Sequence, residues 1–219
     1  MTTRRVRVGV IGTGALGFHH ARLYRTLPDA QLVGIYDHHP GRGDQVGREL
    51  GTVAFPTLDA LLDQVEAVSV VVPTRAHAEV GLAVLSRGIS ALIEKPLADT
   101  LESAERLVHA ADASRATLQV GHVERFNRAV RAAAPYLDGP RFFQCERLAP
   151  FQPRGTDVAV ILDLMIHDLD LVLELESFLR AVRGDGEVVV SGAAGLQALT
   201  LAYRVADAIQ ASPLSAARP

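Results

Sequence analysis

The feature that most constrains this chain is a glycine-rich turn close to its N-terminus. The apolar, β-branched run Val6–Ile11 leads directly into this turn, and a segment with helical periodicity follows from Ala15 to Thr26. A GxGxxG pattern between a strand and a helix is typical of dinucleotide-binding α/β folds, whereas the same pattern in an isolated loop carries little information. The residues of the turn are Gly12, Thr13, Gly14, Ala15, Leu16 and Gly17. This context predicts that the chain opens with a Rossmann-type unit.

Each glycine of the turn has a separate geometric task in such a unit. Gly12 permits the tight turn, Gly14 lets the backbone approach a pyrophosphate, and Gly17 allows the helix to pack closely on the strand. The helix N-terminus offers N–H groups and partial positive charge to phosphates. Asp37 ends the second predicted strand, where a carboxylate can bind both ribose hydroxyls and would repel a 2′-phosphate. We therefore predict NAD as the cofactor, with Arg42 able to soften but not reverse the preference over NADP. The alternative is a glycine turn with a surface aspartate.

Strand and helix patterns alternate through the first part of the chain. Strands are predicted at Val6–Ile11, Gln31–Tyr36, Ala67–Val72, Ser90–Ile93 and Thr117–Val120. Helices are predicted between them at Ala15–Thr26, Asp44–Leu50, His77–Arg87 and Leu101–Ser114. This alternation predicts an α/β protein with a doubly wound parallel sheet that has helices on both faces.

The pattern changes after Gly121. One further strand is predicted at residues 141–148, a long apolar helix from about residue 158, and a closing helix after Ser191. A single strand is too few for an independent sheet. We therefore predict a dinucleotide-binding domain over residues 1–122 and a reduced α+β part over residues 123–219.

Composition excludes several classes of protein. The formal net charge of −3 gives no electrostatic footprint for nucleic acid or an anionic membrane surface. The single cysteine, Cys145, excludes an intramolecular disulfide and a cysteine-based metal site, which fits a reducing compartment. No apolar stretch approaches the ~18 residues of a membrane span. We therefore expect a cytoplasmic protein that has no metal site and binds neither nucleic acid nor membrane.

The basic residues are distributed unusually between the two side-chain types. Of the 22 basic residues, 21 are arginines and only Lys95 is a lysine. A coding bias explains the arginines but not the exception. Arginine cannot lose its proton near neutral pH, whereas lysine can be tuned to do so. Lys95 is therefore either a lysine that is present by chance or a residue whose function arginine cannot perform.

The predicted long helix carries polar groups on one side. Asp163, His167 and Asp170 fall within about 60° of arc at 3.6 residues per turn, on a helix that is otherwise largely apolar. Burying such groups is costly unless they are paired or meet a ligand. They indicate either a functional site or a polar stripe at a domain or subunit boundary.

Four motifs together resemble those of one enzyme family. They are Glu94-Lys95-Pro96, Val72-Pro73-Thr74 with His77, Gly121-His122 followed by Arg125-Phe126-Asn127, and Asp163-Leu164-Met165-Ile166-His167-Asp168. This combination resembles the glucose–fructose oxidoreductase and inositol dehydrogenase (Gfo/Idh/MocA) family. Segments 121–127 and 164–168 are most similar to its UDP-N-acetylglucosamine 3-dehydrogenase-like branch.

The resemblance implies a reaction and a set of site residues. It implies an oxidoreductase that transfers a hydride from a hydroxyl of a sugar or sugar nucleotide to NAD. Lys95 would hydrogen-bond the hydroxyl that is oxidised, and the Lys95–Pro96 peptide bond is expected to be cis. His167 would be the general base or acid, and Asp163 would orient the substrate or tune that base. The proton would go to Lys95 or His167. The resemblance adds Pro73, Thr74, His77, Glu94 and Lys95 to the cofactor site.

The other histidines divide into two groups. We expect His77 and His122 to line the cofactor cleft. We expect the remainder to be solvated or on helix surfaces; these are His19, His20, His38, His39 and His109.

The chain departs from the family after the predicted histidine helix. Family members continue into a large sheet, whereas here the helix runs at once into residues that resemble the family's C-terminal end. This predicts an internal deletion of roughly 100 residues or more, about the size of a small domain. Three interpretations stay open: an active dehydrogenase, a non-catalytic NAD-binding module, and a deletion product without a selected function. Without the sheet, the predicted histidine helix would leave an apolar face exposed. We expect a second copy of the chain to cover this face, which gives a homo-oligomer, or the closing helix after Ser191 to fold back across it.

Overall fold

A computed structural model of the protein describes residues 4–121, 191–193, 196 and 200. The chain divides into two compact units, one formed by residues 1–122 with 175–219 and one formed by residues 123–174. The described residues all belong to the first unit. None of its described helices is long and apolar enough to cross a membrane. The predicted division into domains of residues 1–122 and 123–219 stays a prediction.

The described part is an alternating α/β unit. Its strands are β1 (Val6–Ile11), β2 (Ala30–Tyr36), β3 (Val53–Ala54), β4 (Ala67–Val70), β5 (Ser90–Glu94) and β6 (Leu118–Gly121). Its α-helices are α1 (Ala15–Tyr24), α2 (Pro40–Leu50), α3 (Leu58–Leu62), α4 (His77–Leu85) and α5 (Leu101–Ser114), and a 3₁₀ turn spans Thr74–Ala76. The strands pair in parallel in the order β3-β2-β1-β4-β5-β6. This order is that of the Rossmann fold, so the predicted fold class is confirmed.

Burial and capping explain why these segments form these elements. Every residue of β4, β5 and β6 is buried, as expected for strands with helices on both faces. The hydroxyl of Thr100 accepts a hydrogen bond from Ser103 N at 3.1 Å and so caps the N-terminus of α5. Gly51 and Gly88 follow α2 and α4 with positive φ angles of 59° and 71°, a backbone region that glycine enters without a steric penalty.

The structure differs from the sequence prediction mainly at short elements. Helix α2 begins at Pro40, four residues before the predicted start, because proline fits the first turn of a helix. β3 has two residues and α3 has five, so neither is long enough to give a periodic hydrophobic signal. β4 ends at Val70 rather than Val72.

The sheet creates one crevice at its carboxyl edge. The strand order reverses between β1 and β4, which are neighbours with Ile11 paired to Val70. Connections leave these two strands on opposite faces, so the space above their carboxyl ends is open, and ligands of doubly wound sheets bind there. At the far edge, Gln119 of β6 forms an antiparallel bridge with Ser191.

Candidate cofactor and active site

The glycine turn leaves β1 at this crevice. Gly12 has a φ of +89°, and a Cβ there would lie 2.4 Å from the carbonyl oxygen of Val71. A Cβ on Gly17 would lie only 1.9 Å from the carbonyl oxygen of Gly12. A Cβ on Gly14 would meet no atom within 4 Å, and this residue is exposed at the N-terminus of α1. Packing of the protein therefore requires Gly12 and Gly17, whereas the space beside Gly14 is free for a phosphate group.

Asp37 lies directly beside the turn. Its Oδ2 accepts hydrogen bonds from the Thr13 backbone N–H and from the Thr13 hydroxyl, both at 2.7 Å, and its Oδ1 accepts one from His39 N–H at 2.9 Å. Burial raises the pKa of Asp37, but the hydrogen bonds from His39 and Thr13 outweigh it and leave the pKa lowered. The carboxylate is therefore charged at neutral pH and held at the ribose end of the expected cofactor site.

Replacing Thr13 by valine should raise the pKa of Asp37. The change keeps the shape of the buried side chain but removes the 2.7 Å hydroxyl bond to Oδ2. We expect a loss of about 1–3 kcal/mol in the free energy of unfolding at pH 7. A depressed carboxyl pKa stabilises the fold above about pH 4, and this stabilisation is lost as pH falls through the folded-state pKa. The difference between variant and wild type should therefore shrink on acidification.

Carboxyl ¹³C titration and denaturant unfolding at neutral and acidic pH measure both effects. Thr52→Val is the control, because Asp37 accepts its hydrogen bonds from Thr13 and His39 and not from the Thr52 hydroxyl. An unchanged Asp37 pKa in Thr13→Val would contradict the account.

Arg42 also reaches the turn. Its Nε donates a hydrogen bond of 2.9 Å to the carbonyl oxygen of Thr13, and the side chain is half-exposed. The guanidinium therefore lies on the Asp37 side of the glycine turn. That Arg42 softens the selection against a 2′-phosphate stays a prediction.

The loop after β5 presents Lys95 at the same edge of the sheet. Lys95 is half-buried, and the peptide bond to Pro96 is cis, as predicted. The side chain of Glu94 is buried, and its Oε2 accepts a hydrogen bond of 3.3 Å from the Lys95 N–H. A Cβ on Gly121 would come within 2.9 Å of the Glu94 carboxylate, so glycine leaves the space that this carboxylate fills.

His77 joins the loops that follow β4 and β5. Its ring is 1% exposed, with Nδ1 2.9 Å from the carbonyl oxygen of Pro96 and Nε2 2.9 Å from that of Val72. Pro73 is exposed, and Thr74 opens the 3₁₀ turn at the rim of the crevice. Both ring nitrogens of His77 thus face backbone carbonyls rather than open space.

His20 is the residue that the sequence interpretation missed. It was expected on a helix surface, but it is fully buried, so that expectation is wrong. Nδ1 lies 3.0 Å from Ser69 Oγ, and Nε2 lies 3.3 Å from Glu94 Oε1. The spacing was an available signal: His20 stands three residues after Gly17 and four before Tyr24, which share the buried face of α1. His38, His39 and His109 are exposed as expected, and His19 is half-buried.

Several predicted residues lie outside the described part of the chain. They are His122, Cys145, Asp163, His167 and Asp170. Their roles stay predictions, as do the catalytic role of Lys95, the cytoplasmic location and the homo-oligomer. Within residues 4–121 and the few described residues beyond 190, no cluster of three or more histidine, cysteine or acidic side chains could hold a metal ion.

Comparison with known proteins agrees with this geometry. A family model described as "Oxidoreductase family, NAD-binding Rossmann fold" (GFO_IDH_MocA) matches residues 6–122, which is more than half of the chain. The chain belongs to the Gfo/Idh/MocA family. Residues 6–122 therefore form an NAD-binding Rossmann domain, and the predicted family and cofactor are confirmed.

Among curated members of the Gfo/Idh/MocA family, UDP-N-acetylglucosamine 3-dehydrogenase from Acidithiobacillus ferrooxidans is similar to this chain. The two are 44% identical over 171 residues, which cover 78% of this chain and 54% of that protein. The chain thus spans about half the length of the curated relative it matches.

Solved structures of the family superimpose on the protein. The structure of UDP-N-acetylglucosamine 3-dehydrogenase GnnA from Acidithiobacillus ferrooxidans gives a TM-score of 0.84 at 29% identity, covering 92% of this chain and 96% of that chain. GenD2 from gentamicin A biosynthesis, solved in complex with NAD, gives a TM-score of 0.59 at 28% identity, covering 63% of this chain and 40% of that chain.

Proposed function

We propose that the protein is an NAD-dependent oxidoreductase that transfers a hydride from a hydroxyl of a sugar nucleotide, of the UDP-N-acetylglucosamine type, to NAD. The observation that carries this proposal is the position of Lys95 relative to the glycine turn. β1, β4 and β5 are consecutive neighbours, with Ile11 paired to Val70 and Val70 to Ile93. At ~4.8 Å per strand, the turn after β1 and the loop after β5 are about 10 Å apart on one edge of the sheet.

The crevice fits a dinucleotide on three independent grounds. The exposed N-terminus of α1 offers N–H groups beside the free space at Gly14. The charged Asp37 can accept bonds from ribose hydroxyls. The loop after β4 and the loop after β5 meet at His77, at the opposite side of the crevice from Asp37. The pyrophosphate, the ribose and the reacting ring thus each have a place.

The proposed reaction assigns one proton-transfer step to the chain. Lys95, in its neutral form, binds the substrate hydroxyl and accepts its proton at Nζ, with His167 as the alternative acceptor. When bound, NAD supplies the acceptor for the hydride that leaves the same carbon. The C–H and O–H bonds break, a C=O bond forms, and the products are a ketone, NADH and a proton on the base. Asp163 orients the substrate or tunes the base.

The substrate class is proposed from the relatives. The curated protein at 44% identity and the solved structure with a TM-score of 0.84 are both UDP-N-acetylglucosamine 3-dehydrogenases. The agreement of sequence motifs 121–127 and 164–168 with that branch points the same way. A sugar nucleotide is therefore a better first substrate than a free inositol.

A binding titration followed by a turnover assay tests the proposal. NAD binding is measured by calorimetry, and NADH formation is then followed at 340 nm with UDP-N-acetylglucosamine, UDP-glucose and myo-inositol in parallel. NADH formed with a UDP-sugar supports the proposal. NAD binding without turnover on any of the three would favour the non-catalytic NAD-binding module. The absence of NAD binding would favour the deletion product.

The selectivity for NAD over NADP should depend on Asp37. We expect NAD to bind at least about tenfold more tightly, a difference of about 1.4 kcal/mol, because the fixed carboxylate repels a 2′-phosphate. Asp37→Ser should erode that ratio, since Arg42 then acts without an opposing charge. Asp44→Ser, at an exposed position of α2, is the matched control and should leave the ratio unchanged. Equal affinities of the wild type for the two dinucleotides would refute the assignment.

A further inference from the structure

Two buried histidines contact the residues on either side of Lys95. His20, on α1, has Nε2 3.3 Å from the Glu94 carboxylate, and His77, at the start of α4, has Nδ1 2.9 Å from the Pro96 carbonyl oxygen. Lys95 itself is half-buried, whereas His20 and His77 are 0% and 1% exposed. The loop that presents the lysine is thus attached on both flanks to the interior of the domain.

The hydrogen-bond partners of His20 indicate which of its ring nitrogens carries the proton. Ser69 Oγ lies between His20 Nδ1, at 3.0 Å, and the hydroxyl of Tyr24, at 2.9 Å. If Tyr24 donates to Ser69 and Ser69 donates to Nδ1, the proton of a neutral His20 is on Nε2 and faces the Glu94 carboxylate. The opposite tautomer would point a lone pair at that carboxylate. With the proton on Nε2, the 3.3 Å contact to the Glu94 carboxylate is an electrostatic attraction.

His77 contacts two loops, the one that follows β4 and the one that follows β5. Both of its ring nitrogens face carbonyl oxygens at 2.9 Å, and carbonyl oxygens only accept hydrogen bonds. An N–H on Nδ1 donates to Pro96 in the loop after β5, and an N–H on Nε2 donates to Val72 in the loop after β4; a neutral ring makes one of these bonds at a time and keeps the other carbonyl in close contact. His77 therefore fixes the spacing between the loop that carries Lys95 and the loop that carries Pro73 and Thr74.

We propose that His20 and His77 are positioning residues that hold Glu94 and Pro96 and so fix the place of the Lys95 amino group at the crevice. The catalytic consequence rests on the proposed function, in which Lys95 binds the reacting hydroxyl. A misplacement of about 1 Å at a reacting group is enough to cost on the order of 10²-fold in rate. Each histidine also connects the lysine loop to a segment that faces the cofactor, α1 through His20 and the β4 loop through His77.

The composition of the chain allows a direct test that does not depend on activity. Because Lys95 is the only lysine, reductive methylation with ¹³C-formaldehyde labels this side chain and the N-terminal amine alone, and the positive charge is kept. In the wild type we expect a dispersed Lys95 methyl resonance. In His77→Leu we expect it to move to the position of a solvated, mobile lysine. His109→Gln, at an exposed site on α5, should leave it unchanged.

Paired amide variants separate positioning from core filling. At position 77, asparagine places its NH₂ near the site of Nδ1 and keeps a donor for Pro96, whereas glutamine places its NH₂ near the site of Nε2 and keeps a donor for Val72. His77→Asn should retain the wild-type Lys95 resonance, and His77→Gln should shift it. At position 20, His20→Gln keeps a donor for Glu94 and should retain the resonance, and His20→Leu should not. Unfolding by denaturant identifies any variant that fails to fold.

Three outcomes can be told apart. If folded His77→Gln and His20→Leu keep the wild-type Lys95 resonance, the inference is overturned, whether or not the protein is a dehydrogenase. If the resonance moves and the wild type turns over a UDP-sugar, kcat should fall on the order of tenfold or more in those two variants, with the Kd of NAD nearly unchanged. If the resonance moves but the wild type shows no turnover, the positioning role stands and the proposed function fails.

Discussion

Replacing Lys95 by arginine is expected to lower kcat by about 10²–10⁴-fold, which is the usual contribution of a positioned general base. The substitution keeps the positive charge and most of the length of the side chain. A guanidinium stays protonated in proteins and cannot accept the proton of the substrate hydroxyl. The affinity for NAD should be nearly unchanged, because the glycine turn and Asp37 lie on other strands than β5.

Because of the composition of the chain, no other lysine can replace Lys95 in this variant. The variant contains no lysine at all, so any residual activity cannot come from a second one. Arg106→Lys, on the exposed side of α5, is the reverse control and should leave kcat unchanged. If Lys95→Arg keeps more than a small fraction of the wild-type kcat, the base is another group, and His167 becomes the first candidate.

The second large effect is expected from two alanine substitutions in the glycine turn. One should lower the stability of the fold, and the other should lower the affinity for NAD. In Gly17→Ala the new Cβ would lie 1.9 Å from the carbonyl oxygen of Gly12, and this atom belongs to the backbone, so it cannot rotate away as a side chain could. We expect a loss of at least about 4 kcal/mol in the free energy of unfolding, at the extreme of single substitutions. In thermal unfolding, the Tm of Gly17→Ala should be strongly lowered. If the loss is larger still, too little of the variant is folded at room temperature for binding to be measured.

Gly14→Ala should show the opposite combination. Its Cβ would meet no protein atom within 4 Å, and Gly14 has a φ of −60° that alanine adopts freely. The free energy of unfolding should change by less than about 1 kcal/mol, the cost of alanine at a helix N-cap. NAD affinity should fall at least about tenfold, because the methyl group occupies the space through which the backbone approaches the pyrophosphate. Calorimetry and thermal unfolding of both variants test the pair, and equal loss of stability in the two would contradict it.

Much of the fold could be predicted from local sequence because it depends on local patterns. The apolar run Val6–Ile11 became β1 with the predicted bounds, and Leu101–Ser114 became α5 with the predicted bounds, capped by Thr100. The sequence did not predict β3 and α3, because both are too short to show a periodic pattern of hydrophobic residues. Their positions are set by neighbours in space, as when Gly34 of β2 pairs with Val53.

Part of the candidate site could also be predicted from local sequence. Gly12, Gly14, Gly17 and Asp37 could be predicted as candidate cofactor-site residues, because the spacing of the residues encodes a strand–turn–helix unit in which each has its position. Sequence alone also singled out Lys95, as the one lysine among 22 basic residues.

Only the tertiary structure decided how these residues are held. The spacing of His20 from Gly17 and Tyr24 indicated the buried face of α1, but a histidine in an amphipathic helix gives no sign of its partner. That partner, Glu94, is 74 positions further along the chain. His77 was identified from its motif, but the two carbonyl oxygens that it faces come from loops after different strands. A hydrogen bond between segments distant in sequence depends on which strands become neighbours, and strand order is a property of the whole sheet rather than of any local pattern.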